Sequence, residues 1–415
     1  MQKECSHAAR EAPAAMQTSP RWHERSLAVE EEIRRTFALA NETAPYIVYD
    51  VGYWLFGQLP EDIPPDYCDA DPAAMIAFQT RKIERHMARY DDAYIPFLMP
   101  WYGTGVLASG FGVPVKFQER MDPAVELPTI SRIEQLKDLC PPDFERDGLM
   151  PRVLDTIRTM RRLTDLPVGV TDCQGPLTTA LQIVGYDKLI YWMVDHPERI
   201  HDLMQLVTDA LVAWVKRQKE VAGQDLCDDA YVLGVKIPGG LGGVWISDDD
   251  SVIFSPALYR EFVVPYNSQV LAAFGGGAIH YCGNANQHIA SFLETEGLRA
   301  VHNVHLDDLD NAARMRHALA EKGIVTIASD FNVDDDAIDG YFEQLFRRLG
   351  TRGLIVVPYI APAVTLRRKK YTAARRDPER VGRAIEAAIR KHNRPGSRGP
   401  DRREGDRSDL PRSGP

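Results

Sequence analysis

The 415-residue sequence has little of what marks a secreted, membrane-bound or nucleotide-binding chain. Its six cysteines are Cys5, Cys68, Cys140, Cys173, Cys227 and Cys282. They form no CxxC pair and no disulfide-framework spacing, so they are expected to remain thiols. No apolar run approaches the ~18–20 residues that span a bilayer, and mean hydropathy is -0.29. The opening stretch MQKECSHAAREAPAAMQTSPRW mixes charges of both signs without an apolar segment. A signal peptide is therefore not expected, and the cytoplasm is the default location. Positive charge is also in deficit. With 49 Lys and Arg against 59 Asp and Glu, the net charge is -10, which repels nucleic acid phosphates. Arg367, Arg368, Lys369, Lys370 and the tail arginines are local exceptions, read first as a solvated helix end and second as an anion site. No G-x-G-x-x-G opens a helix after the first strand, which removes support for a dinucleotide site. The glycines Gly239, Gly240, Gly242 and Gly243 lack the Lys-Ser/Thr of a phosphate loop; a loop that folds over a ligand is the other use of such a run.

What is present is a repeating alternation. Short apolar runs, rich in Val and Ile, recur between long amphipathic segments: PYIVYDVGYW, AYIPFLMPW, LPVGVTDC, QDLCDDAYV, GAIHYCG, LRAVHNVHL, GIVTIASDF and GLIVVPYI. Each reads as a strand buried on both faces. Helix punctuation is clear in several places. Pro197 opens a long helix that ends at Gly223. Ser255-Pro256 opens another, which Pro265 should kink or break, and Asp377-Pro378 opens the last. Strand–helix alternation of this length predicts a parallel α/β sheet closed into a single-domain (β/α)8 TIM barrel, with a doubly wound sheet as the alternative. Residues 1–21 read as a disordered arm, 22–392 as the barrel, and 393–415, rich in Pro, Gly, Arg and Asp with almost no apolar residue, as a disordered tail.

In such a fold the chemistry sits where strands run into their following loops. The polar strand ends include Asp172-Cys173, His280-Tyr281-Cys282-Gly283, His302-Asn303-Val304-His305, Ser329-Asp330 and Pro358-Tyr359. Residues two apart on a strand share a face, so His280 and Cys282 offer an imidazole and a thiol together, a pair suited to zinc. A third ligand could come from Cys173, His305, Asp172 or Asp330. His302 and His305 face opposite ways, so at most one enters the barrel. Asp172 and Asp330 are candidate catalytic carboxyl groups, since burial raises a carboxyl pKa toward the acid–base range. The run Asp248-Asp249-Asp250 is expected to be a solvated loop, with cation attraction the second reading. Trp101, Tyr102, Trp245 and Tyr359 are candidate substrate-binding aromatics. Tyr53 and Trp54 complete an aromatic set that suits a flat ligand or the core.

Three motif groups, in order, carry a family resemblance. GPLTTALQIVGYDKLIYWMVDHPERI resembles a G-P-[FL]-T segment followed by a D-x-P-E turn. WISDDDSVIFSPALYREFVVPY is similar to an S-x-D stretch leading into S-P-x-x-[YF]-x-x-F-x-x-P-[YF]. AIHYCGNANQHIASFLETEG resembles an H-x-C-G segment. Together they resemble the uroporphyrinogen decarboxylase superfamily, from about Pro167 to Pro362. The resemblance implies one of two chemistries. One is cofactor-free decarboxylation of a porphyrinogen. The other is methyl transfer from a methyl-corrinoid protein to a thiol, activated by zinc on H-x-C and a later Cys. The decarboxylase's arginine-rich N-terminal signature and F-S-D-[IL] stretch have no counterpart here, and Val357-Pro358-Tyr359 stands where the later Cys is expected.

The resulting expectation is a zinc-assisted methyltransferase-like enzyme with His280 and Cys282 as ligands, a small-molecule substrate and a corrinoid protein as partner. The alternatives are a decarboxylase of uroporphyrinogen or another carboxylated ring, using Asp172 or Asp330, and a non-catalytic tetrapyrrole-binding barrel.

Overall fold

The computed structural model describes residues 19–49, 63–64, 67–68, 72–232, 234–303, 308–330, 338–358, 364–365, 370–371 and 378–392. Five parallel strands form its main sheet: β1 (Val244–Ser247), β2 (Gly277–Tyr281), β3 (Leu298–Asn303), β4 (Val325–Asp330) and β5 (Leu354–Pro358). They lie side by side in chain order. Crossover helices separate them, as parallel neighbours require. β2 and β5 are buried at every position, which is why their sequences are near-continuous apolar runs. Gly277 is fixed by contact: a Cβ there would meet the Val244 carbonyl oxygen at 2.2 Å. Any side chain would push β1 and β2 apart.

Three N-terminal extended segments lean on this sheet. Ile47 N–H donates to the Val356 carbonyl and Val356 N–H to that of Pro45, both at 2.9 Å, and Ala93 N–H donates to the Tyr46 carbonyl at 2.8 Å. Farther along, Leu98 N–H donates to the Pro167 carbonyl at 2.9 Å and Ser247 N–H to the Cys173 carbonyl at 2.8 Å. Each of Tyr46–Val356, Leu98–Val168 and Gln174–Ser247 is a parallel bridge.

Helices cover the sheet. In Pro197–Ala222, Pro stands in the first turn and Gly223 closes the end in the left-handed region at φ 70°. Ile200, Leu203, Met204, Val207, Leu211, Trp214 and Val215 form its buried stripe, and each such side chain contributes about 1.5–3 kcal/mol by leaving water. Pro265 acts as expected. One helix, Pro256–Phe262, stops and a second, Val264–Ala272, begins. Pro265 has no N–H to continue the first helix, but it fits the opening turn of the next. The last helix, Pro378–His392, begins where expected. Among the described residues no helix is long and apolar enough to cross a membrane.

One strand expectation is corrected. In QDLCDDAYV only Ala230–Val232 is extended, and it pairs antiparallel with Val235–Ile237 rather than joining the main sheet. The polar half of the run forms a turn, closed by the Asp225 N–H donating to the Asp228 carboxylate at 2.7 Å. The buried Lys219 ammonium ties down the Asp228 and Asp229 carbonyls at 3.1 and 3.2 Å. The place beside Gln174 is taken by β1, Val-Trp-Ile-Ser, a short β-branched and aromatic run that follows Gly242-Gly243.

Candidate functional site

The strand register builds a row of polar side chains across the C-terminal ends of the sheet. Ser247 pairs with His280, and His280 pairs with His302, so the three stand side by side on one face. Gln174 joins the row through its bridge to Ser247. Beyond β1 the chain enters a tight helical turn, Asp249–Ile253. Beyond β2, Cys282 follows at once, and Gly283 at φ 89° turns the chain away, a conformation that favours glycine.

Asp249, His280 and Cys282 converge in this space. The carboxylate oxygen, ring nitrogen and sulfur all lie within 4.8 Å of one another. His280 Nε2 is 3.0 Å from Asp249 Oδ1 and 3.5 Å from Cys282 Sγ. The second Asp249 oxygen accepts from the Ser247 hydroxyl at 2.7 Å. Burial opposes ionisation of Asp249, but the imidazole of His280, the Ser247 hydroxyl and the Cys282 thiol outweigh it and hold the carboxyl well below its ordinary range. Cys282 goes the other way: burial, then the Asp249 charge, push its thiol well above the ordinary value.

These donors fit a divalent cation. Zinc bonds of ~2.0–2.3 Å in a tetrahedron place donor atoms ~3.3–3.8 Å apart, and three protein ligands leave one position open. A thiol pressed against a carboxylate resists ionisation, and a cation between them reverses that balance. The site can thus hold a metal and keep a place for a substrate atom.

Behind the cluster, His280 Nδ1 lies 2.6 Å from His302 Nδ1, and His302 Nε2 lies 2.6 Å from Ser329 Oγ. His302 and Ser329 are fully buried. Burial, then the neighbouring His280, hold His302 well below its ordinary pKa, so its ring is neutral.

A second carboxyl, Asp172, lies on the segment that bridges to Ser247 and feels the charges of Asp249 and His280. It is buried and accepts from the Gln174 amide at 2.6 Å. Burial pushes it up to about 7; Gln174 opposes the shift and the Asp249 charge adds to it.

Comparison with known proteins matches residues 64–227 to the family profile described as uroporphyrinogen decarboxylase. A methylated-thiol–coenzyme M methyltransferase of Methanosarcina mazei is 24% identical over 214 residues, which are 51% of this chain and 53% of that protein. A uroporphyrinogen decarboxylase of Xanthomonas campestris is 25% identical over 208 residues, 47% of this chain and 53% of that one. A solved methyltransferase from Methanosarcina mazei superposes with TM-score 0.62 at 16% identity, covering 87% of this chain and 98% of its own, and so shares the fold. These likenesses bear out the resemblance to the uroporphyrinogen decarboxylase superfamily. It spans about half the length of the curated relatives it matches.

The expected site residues fall out unevenly. His280 and Cys282 come together as the H-x-C spacing implied. Cys173 does not join them. Its thiol donates to the Thr171 carbonyl at 3.2 Å, and the charges it feels are those of Asp172 and, in the helix layer, Lys219. Burial pushes that thiol far up, which suits an inert packed cysteine. His302 is the histidine of its strand that faces inward; His305 lies outside the described residues, as do Tyr359, Tyr53, Trp54, Arg367, Arg368 and Lys369. Asp330 is the last residue of β4, and its backbone alone is described.

Trp101 and Tyr102 are buried and already engaged. The indole donates to Asp122 at 2.7 Å, and the phenol pairs with Thr156 at 2.7 Å beneath the Arg152 guanidinium. Trp245 stands edge-on to His280, with ring centres 6.3 Å apart, and its buried Nε1 has no partner among the described residues.

The acidic run is the main departure. Asp248 is fully buried, accepting from Tyr259 at 2.5 Å and Asn267 at 3.2 Å, and Asp249 is the third donor of the cluster. A solvated loop was expected, yet three adjacent carboxylates, which repel one another, are drawn in here. Buried hydroxyl and amide donors and the imidazole offset that repulsion. The signal that could have found Asp249 was the S-x-D motif at Ser247 and Asp249, once Val244–Ser247 is read as a strand.

Proposed function

We propose that this chain is a zinc-assisted, methyltransferase-like enzyme of the superfamily, in which Asp249, His280 and Cys282 hold the metal. The acceptor is a small thiol or hydroxyl compound, and the methyl donor is a methyl-corrinoid carried by a partner protein. One observation carries the reading: carboxylate, imidazole and thiol within 4.8 Å at the C-terminal mouth of the sheet. Asp249 then stands in for the later Cys that the superfamily's methyltransferases use. The substitution keeps two anionic donors and one neutral one. A bound zinc supplies the positive charge that ionises a thiol at neutral pH. The chain's own residues do the remainder. Ser247 orients Asp249 through its hydroxyl, the buried Trp245 ring shields His280, and Asp172 holds a proton up to about pH 7 on the neighbouring segment.

The same proposal extends to the fold. The segments at 45–49, 93–98 and 167–174 with β1–β5 give eight staves, each bridged or hydrogen-bonded to the next, and the first to the last. We read them as a closed (β/α)8 barrel of a cytoplasmic enzyme, with the site at the face where such barrels carry their chemistry.

The test is metal content of the purified protein beside Cys282→Ser, followed by methylation of a thiol with methylcobalamin as donor. About one zinc per chain, lost in the variant together with thiol methylation, is the expected result. No zinc in either sample would end this mechanism. The second reading, decarboxylation of a carboxylated ring, rests on the buried Asp172, whose carboxyl is shifted into the range of a general acid. Incubation with uroporphyrinogen and a chromatographic search for coproporphyrinogen decides it.

A further inference from the structure

We propose that His302, backed by Ser329, is a positioning residue that fixes the tautomer of His280 and so presents the Nε2 lone pair of His280 to the metal. This rests on the zinc reading above. The observation extends behind the ligand cluster from His280: a buried row of His280, His302 and Ser329 across β2, β3 and β4, with two contacts of 2.6 Å.

Two imidazole nitrogens that close must share one proton, since two lone pairs or two N–H groups facing each other would repel. With both rings neutral, as metal coordination by His280 requires, two arrangements satisfy the row. In the first, His280 carries its proton on Nδ1 and donates to His302 Nδ1. The His302 proton then sits on Nε2 and donates to Ser329 Oγ. This leaves His280 Nε2 bare, facing Asp249 Oδ1 and Cys282 Sγ, as a metal ligand must be. In the second, His302 donates through Nδ1, and His280 carries its proton on Nε2 toward Asp249, 3.0 Å away. That arrangement suits the metal-free chain and blocks coordination. Metal binding therefore selects the first arrangement, and His302 must accept at Nδ1 for it to form.

The strand register makes the contact a fixed one. His280 and His302 are paired residues of adjacent parallel strands, with ring centres 4.8 Å apart. Neither ring can rotate away without leaving a buried nitrogen unpaired. Outer partners of this kind typically change metal affinity by about 10–100-fold.

The experiment uses the full chain and cobalt(II), whose visible absorption reports coordination geometry, with zinc affinity read by competition. His302→Asn places Oδ1 close to the position of the lost Nδ1 and keeps the acceptor. His302→Leu removes it. Ser329→Ala removes only the end of the row. The expected result is near-normal binding and spectrum in His302→Asn, about 10–100-fold weaker zinc binding with an altered cobalt spectrum in His302→Leu, and a smaller loss in Ser329→Ala. Circular dichroism separates a folded His302→Leu from an unfolded one, and if it is unfolded the Asn and Ala variants decide. Wild-type protein that binds cobalt while every folded variant binds it equally overturns the positioning role alone. Equal loss in His302→Asn and His302→Leu also overturns it, because a packing role would not distinguish them. Wild-type protein that takes up no cobalt overturns the metal reading, and this inference with it.

Discussion

Two carboxyl groups stand at neighbouring strand ends, close enough to feel each other's charge, and their surroundings drive them in opposite directions. Asp249 stands beside an imidazole, a hydroxyl and a thiol, and ionises more easily than a free carboxyl despite its burial. Asp172 is more deeply buried, has one amide donor, feels the charge of Asp249, and is pushed up to about 7. Burial is the largest influence on both; what differs is the number and sign of the partners that answer it. Such a divergence lets one site hold an anion and a proton together. Asp249 is suited to bind a cation, and Asp172 to give or take a proton.

The sharpest way to break this comparison is to remove metal donors on one side only. Loss of His280 or Cys282, as His280→Ala or Cys282→Ser, is expected to weaken zinc binding by more than about 1000-fold, because only two protein donors then remain. Asp172→Asn should leave zinc content at the wild-type level. Metal analysis of the purified proteins checks both. Equal zinc loss in Asp172→Asn would show that the two carboxyl groups form one site rather than two. For activity, Asp172→Asn should lower kcat by about 100-fold, the usual weight of one positioned acid or base, while zinc stays bound. Unchanged kcat would leave Asp172 a structural group.

How far this contrast could be read from the sequence depends on how local each part of it is. His280 and Cys282 were legible because strand alternation alone puts positions two apart on one face. The helix ends at Pro197, Gly223 and Pro265 were legible for the same reason, since each depends on its own backbone. That one of two histidines would enter could be framed as a choice, but only the register of β2 against β3 makes His302 the partner of His280. Asp249 was hidden by a misplaced strand. Reading QDLCDDAYV as a stave left Val244–Ser247 in a loop and its acidic neighbours in solvent. Burial of Asp248 depends on Tyr259 and Asn267 from a different helix pair, a long-range fact that no spacing displays.

A smaller effect sharpens the contrast through pH. In the metal-free chain, the folded pKa of Asp172 lies above the value of about 3.9 expected when unfolded. Its neutral form favours the fold, so its contribution is complete below about pH 4 and is lost as pH rises toward 7. Asp249 has the opposite sign: its contribution is present above the unfolded value and is lost as pH falls below it. Urea unfolding at pH 4.5 and pH 8 should therefore show Asp172→Asn gaining on the wild type by on the order of 2 kcal/mol between the two. Asp249→Asn should show no such gain. A pH-independent difference for Asp172→Asn would mean that its carboxyl is not held neutral by the fold.

The smallest expected effect concerns the turn that carries Asp249. Asp248, its neighbour, is pushed up to about 7 by burial, against the hydrogen bonds from Tyr259 and Asn267. Its other oxygen, Oδ1, is buried without a partner among the described residues. Tyr259→Phe removes the 2.5 Å donor while keeping the ring that stacks on His288 at 4.2 Å. The carboxyl is then left with Asn267 alone, at a cost of about 1–2 kcal/mol in stability, measurable by denaturant unfolding. Because Asp248 N–H also donates to the His280 carbonyl at 2.7 Å, the backbone of the turn stays tied to β2. Zinc affinity should consequently fall by less than about 10-fold, below the effect of losing an outer-shell partner of a ligand. A loss as large as that of Cys282→Ser would mean that Asp249 is placed by the Tyr259–Asp248 bond rather than by Ser247 and the strand end.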